Sequence, residues 1–105
     1  MSCLNKTFFV VEDHTVTNIG LVQLVEQNTK LKCAGSAFSK SEAKEKLKAL
    51  ASDLTETDSK TSGPPELLIL DLFLGEESGL DLLREVRTDY PEIKILVYSM
   101  YAKPG

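Results

Sequence analysis

Two apolar runs set the plan of this chain: Phe8-Phe9-Val10-Val11 and Leu67-Leu68-Ile69-Leu70 contain no polar residue, and each stops at acid. Strands covered on both faces, as in a parallel sheet, read as such unbroken runs rather than as alternating ones. The first run predicts a strand over Thr7 to Val11 that ends in Glu12-Asp13, and the second predicts a central strand that ends in Asp71. Between them the period lengthens. From about Thr15 to Asn28, apolar residues at Ile19, Leu21, Val22, Leu24 and Val25 predict a helix packed on a sheet. Leu31 to Ala37 supplies a short second strand. Ser39-x-x-Glu42 then resembles a capping box, and Ala43, Leu47, Leu50, Ala51 and Leu54 fall on one face of the helix it opens, with Lys44, Lys46 and Lys48 left to solvent. Thr55 to Pro65 has no apolar period and reads as a long connection, not a domain boundary. A third helix from about Gly79 to Asp89 turns Leu82, Leu83, Val86 and Tyr90 inward, Pro91 ends it, and Lys94 to Ser99 forms a fourth strand.

Alternating strands and helices predict an α/β fold with a parallel sheet. Ligands of open α/β sheets bind beyond the carboxyl ends of the strands, so Glu12, Asp13 and Asp71 converge on one edge. Carboxylates that close repel one another unless a cation sits between them. The arrangement therefore asks for a hard divalent ion such as Mg²⁺. Glu-Asp-His-Thr after the first strand has none of the glycines that let a backbone cradle phosphates, which argues against a nucleotide site.

Composition narrows the surroundings. With 105 residues, 42% hydrophobic and 27% charged, the chain suits one small domain over 1–105. A formal charge of -4 with scattered lysines leaves no basic stripe to track a phosphate backbone, so no direct nucleic-acid binding is expected of this segment. No apolar stretch approaches the ~20 residues needed to span a bilayer and the N-terminus lacks a signal-peptide pattern, so a cytoplasmic location without a membrane partner is expected. Cys3 and Cys33 lie far apart with no histidines at metal spacing, and both read as reduced thiols, Cys33 as core filler. His14, the one histidine, reads as shaping the entry to the first helix rather than as a phosphate donor or ligand, and Glu76 and Glu77 as a solvated loop.

Four blocks now stand in order: Val-Val-Glu-Asp-His at the first strand, Leu-Asp-Leu-Phe-Leu at the third, Ser-Gly-Leu-Asp-Leu-Leu-Arg-Glu-Val-Arg in the third helix, and Ile-Leu-Val-Tyr-Ser-Met at the fourth strand. Together they resemble the response-regulator receiver domain of two-component signalling. Glu-Asp-His followed by Asn-Ile-Gly-Leu-Val-Gln-Leu-Val-Glu is most similar to the NarL/FixJ-type subclass, which usually carries a helix-turn-helix output domain after the receiver. The resemblance implies a flavodoxin-like, CheY-like doubly wound sheet in the order 2-1-3-4, C-terminally truncated, with the fifth strand, its lysine and the last helices absent.

By the same resemblance, Asp71 is the phosphoacceptor, with a sensor histidine kinase or phosphotransfer protein as donor and transcription as the output, through a DNA-binding domain not in this chain. Asp13 is the main metal acid, Glu12 its neighbour that holds the ion through water, the backbone carbonyl of Phe73 a further metal oxygen, and Ser99 the hydroxyl that contacts the phosphoryl group and switches. Mg²⁺ is the implied ion. Lys103 does not match the fifth-strand lysine. Without a fifth strand, Ile95, Leu96 and Val97 lie on an unprotected edge, and self-association through the fourth strand is expected. Two alternatives stand beside this reading: a receiver-like interaction module without phosphotransfer, and a Mg²⁺-dependent haloacid-dehalogenase-like phosphatase. The latter normally needs a second aspartate where Phe73 stands.

Overall fold

The computed structural model describes residues 6–52, 64–74 and 77–98. Its elements follow in the order β1 (Thr7–Val11), α1 (Thr15–Asn28), β2 (Lys32–Ala37), α2 (Lys40–Ser52), β3 (Leu67–Asp71), β4 (Phe73–Leu74), β5 (Glu77–Ser78), α3 (Gly79–Asp89) and β6 (Lys94–Tyr98). Strands β2, β1, β3 and β6 form one parallel sheet in that spatial order. This is the doubly wound order 2-1-3-4, with β6 as the fourth main strand. Thr55 to Gly63, Leu54, Ser99, Cys3 and Lys103 lie outside the described residues.

The apolar runs take β1 and β3, the two inner strands of the described sheet, where helices cover both faces. Phe8, Phe9, Val10 and Val11 are wholly buried, as are Leu68 and Leu70 of β3. Successive side chains of a strand point to opposite faces, so the runs divide between two layers. Phe9, Val11, Leu68 and Leu70 pack with Ala43 and Leu47 of α2 and Leu82 and Val86 of α3. Phe8, Val10 and Ile69 pack with Leu21, Val22 and Val25 of α1, and Cys33 joins them as core filler.

The helix ends follow local chemistry. Ser39 caps α2 by accepting the Glu42 N–H at 3.2 Å, while the Glu42 carboxylate reaches back to the Phe38 N–H at 2.8 Å. Thr29 closes α1 by donating its hydroxyl to the Val25 carbonyl at 2.8 Å. Lys44, Lys46 and Lys48 are exposed as expected, and Lys44 pairs with Glu85 at 2.9 Å, which ties α2 to α3.

Two expectations change. In α1, Ile19 and Leu24 are 51% and 58% exposed rather than packed on the sheet. Asn18, Leu21, Val22 and Val25 follow the i, i+3, i+4, i+7 rule and fill the only stripe that can face the strands, so apolar residues outside that stripe must point away. At Glu77 a solvated loop gives way to the ribbon β4–β5, in which Leu74 opposes Glu77 and Phe73 opposes Ser78. Backbone donors and acceptors pair whatever side chains they carry, and residue-type patterns do not register that. Glu76 lies outside the described residues.

Candidate functional site

Alternation along the strands decides which polar groups meet at the carboxyl edge. Val10 and Ile69 face α1, so Glu12 and Asp71, each two residues further on, face the same way. Asp71 is in register with Tyr98, whose ring also belongs to the α1-side cluster. Glu12, Asp71 and Tyr98 therefore form a row across β1, β3 and β6.

The acids expected from the sequence come together. One ligand atom each from Glu12, Asp13, His14 and Asp71 lies within 4.8 Å of the others. Glu12 and Asp71 are fully buried, whereas Asp13 is partly exposed. The carboxylate of Glu12 is held on both oxygens. Oε2 accepts the His14 backbone N–H at 2.8 Å and lies 2.7 Å from His14 Nδ1, and Oε1 accepts the Tyr98 hydroxyl. Its backbone is held as well, because Asn18 Nδ2 donates to the Glu12 carbonyl at 3.0 Å and to the Ala37 carbonyl at 3.1 Å. That buried amide joins the ends of β1 and β2 under the site.

Burial opposes the charge on Glu12, but the hydrogen bonds from Tyr98 and His14 outweigh it and hold the carboxyl below its usual range. For His14, the hydrogen bond to Glu12 and the charge of Asp13 raise the imidazole above its ordinary value. Burial and the Glu12 contact push the Tyr98 phenol upward, so it stays a hydrogen-bond donor.

The donor set fits a hard cation. Asp13 Oδ1 is buried, accepts no hydrogen bond among the described residues, and has His14 Nδ1 only at 3.2 Å. Three carboxylates so close to one another form the oxygen-rich, anionic setting that Mg²⁺ prefers. Of the other residues expected from the sequence, Phe73 begins β4 two positions beyond Asp71, and Ser99 lies outside the described residues.

Gly79 supports Asp71 through close packing of backbone. A Cβ at this position would lie 2.4 Å from the Asp71 carbonyl oxygen and 2.7 Å from Leu72 Cα, and the Gly79 N–H donates to the Leu72 carbonyl at 3.0 Å. Sequence reasoning missed Tyr98 and Asn18 as site residues and kept His14 out of the cluster. The available signals were a phenol level with Asp71 at the end of an apolar strand and an amide in the inward stripe of α1.

Known proteins share this fold and family. The family model described as "Response regulator receiver domain" matches residues 8–104. The DNA-binding transcriptional activator DevR/DosR of Mycobacterium tuberculosis is 28% identical over 93 residues, which are 89% of this chain and 37% of that protein. This chain thus spans under two-fifths of that relative's length. Among solved structures, a response regulator from Burkholderia pseudomallei with a phosphorylated aspartic acid and a calcium ion is 29% identical, with a TM-score of 0.63, covering 93% of this chain and 49% of that one. The response regulator TrrA from Thermotoga maritima, in complex with Mg²⁺ and a beryllium fluoride, shares the fold with a TM-score of 0.71 at 23% identity, covering 92% and 71%. A doubly wound sheet in the order 2-1-3-4, an acid cluster compatible with a phosphoacceptor site at its carboxyl edge, and a family match over 8–104 together assign the chain: it belongs to the response regulator receiver domain family, whose members are signalling modules rather than classical enzymes.

Proposed function

We propose that the chain is the phosphoryl-accepting receiver of a two-component phosphorelay, with Asp71 as the acceptor. The observation that carries this reading is the meeting of Glu12, Asp13 and Asp71 at the carboxyl edge of the sheet. A carboxylate oxygen of Asp71 attacks phosphorus, the bond from phosphorus to the donor's histidine nitrogen breaks, and that nitrogen retakes a proton from solvent. A sensor histidine kinase or phosphotransfer protein supplies the group.

Two anions must approach one another in this step, so charge neutralisation and alignment are the catalytic needs. Asp13 and Asp71, with the Phe73 backbone carbonyl and with Glu12 through water, would hold Mg²⁺, which supplies positive charge to the phosphoryl oxygens. Ser99 would bond a phosphoryl oxygen and carry the change into the following loop. The Burkholderia regulator, with its phosphorylated aspartic acid and calcium ion, supports this assignment.

The test is Mg²⁺-dependent modification by acetyl phosphate, followed by intact mass. Wild type gains one phosphoryl group and Asp71→Ala does not. A chain that gains none under conditions that modify an established receiver is instead an interaction module. In this proposal the protein works in the cytoplasm and its output is transcription, as for the mycobacterial DNA-binding activator, through a DNA-binding segment outside the 105 residues. Self-association belongs to the same proposal: among the described residues β6 is the outer strand on its side, and its Leu96 is 54% exposed. Edge pairing would then give a dimeric mass by light scattering at micromolar concentration, whereas a strictly monomeric mass would exclude it.

A further inference from the structure

The ring and hydroxyl of Tyr98 answer different needs. The ring joins the cluster of Phe8, Val10 and Ile69, and any aromatic of that size would serve there. The hydroxyl instead leaves β6, passes the strand that carries Asp71, and donates to Glu12 Oε1 at the end of β1. Neighbouring strands lie about 4.8 Å apart, so the two residues bridge a backbone separation of about 10 Å. Only a long side chain on each strand closes that gap. At the other oxygen, Glu12 is held by His14, and its carbonyl is held by Asn18. The carboxylate therefore has one orientation, and Tyr98 is the contact that comes from across the sheet.

We propose that Tyr98 is a positioning residue for the cation site: its hydroxyl fixes the Glu12 carboxylate and ties the end of β6, which leads into Ser99, to the acids at the end of β1. The β6 backbone is already held by its pairing with β3, the Leu72 N–H donating to the Tyr98 carbonyl at 3.0 Å, so what the hydroxyl adds is a link between the Tyr98 side chain and the orientation of the Glu12 carboxylate. This inference rests on the receiver reading of the acid cluster. Groups that orient the ligands of a metal commonly change its affinity by a factor of ten or more when removed.

The experiment is a double-mutant cycle of Tyr98→Phe and Glu12→Gln on the full chain, read by Mg²⁺ titration in a calorimeter and by the near-ultraviolet tyrosine difference spectrum on adding Mg²⁺. Wild type binds Mg²⁺ and shows a tyrosine difference signal. Tyr98→Phe keeps the ring, binds Mg²⁺ about tenfold more weakly and loses that signal, and in the Glu12→Gln background it has no further effect. Equal affinity of Tyr98→Phe and wild type would overturn the proposal. So would a loss of the same size in the Glu12→Gln background, since the effect would then not run through Glu12. Wild type without any Mg²⁺ affinity would sink the receiver reading and this inference together, whereas Mg²⁺ binding that ignores Tyr98 sinks the inference alone. A urea midpoint for each variant separates lost affinity from lost folding.

Discussion

The two faces of the sheet are built differently. Against α2 and α3 the sheet buries a deep layer in which Phe9, Val11, Leu68 and Leu70 meet Ala43, Leu47, Leu82 and Val86. Against α1 the buried apolar side chains are Phe8, Val10 and Ile69, and the helix contributes half-buried Leu21, Val22 and Val25. Apolar burial scales with area removed from water, so the α2–α3 layer carries more of the stability. Glu12 and Asp71 project on the thinner side. The fold thus places its polar cost beside the lighter layer, where the buried acids sit, while the heavier layer holds the strands that present them.

Truncations sharpen that contrast. Leu82→Ala, in the thick layer, is expected to cost about 4 kcal/mol in urea unfolding, whereas Val22→Ala on α1 is expected to cost about 1 kcal/mol. Equal losses would erase the distinction between the layers. Gly79→Ala drives a Cβ into the Asp71 carbonyl, 2.4 Å away, and is expected to cost about 3 kcal/mol while also displacing Asp71, the proposed acceptor. Both the urea midpoint and the acetyl phosphate gain should fall.

At the edge itself the prediction reverses sign. Asp71→Asn removes one of the clustered carboxylates and is expected to stabilise the protein without Mg²⁺ by about 1 kcal/mol, a gain that disappears when Mg²⁺ is added. Thermal melts with and without the ion check this. The lowered carboxyl of Glu12 contributes stability that is present above its unfolded value of 4.5 and is lost as pH falls through the lower folded value.

His14 sets a second pH window. Its imidazole is raised above the ordinary 6.5 because it faces Glu12 and Asp13, and when protonated it adds a positive charge beside the acids that would hold Mg²⁺. Raising the pH through that value removes the competing charge, so Mg²⁺ affinity should rise several-fold between acid and mildly alkaline solution. His14→Ala should flatten the profile in a calorimetric titration. The smallest effect belongs to the outer surface of α1: Leu24→Ser, at a position 58% exposed, should change the unfolding free energy measured in urea by less than about 0.5 kcal/mol.

The order of elements and the identity of the acids were legible along the chain. Unbroken apolar runs can be satisfied only by central strands, and Glu12, Asp13 and Asp71 follow those strands directly, so their convergence was readable without coordinates. Ser39 and Glu42 were equally legible, because a capping box acts over four residues. Contacts between distant residues were not. Which apolar residues of α1 turn inward depended on how the helix lies on β1, and the sequence pattern had included Ile19 and Leu24 in the packed face. Tyr98 reaches Glu12 only because β6 pairs with β3 in a register that sets it level with Asp71. Asn18 joins β1 to β2, and Gly79 yields space to the Asp71 backbone, for reasons equally invisible along the chain. Periodicity and strand-end chemistry are local and survive in one dimension, whereas strand register and side-chain reach exist only once the sheet has formed.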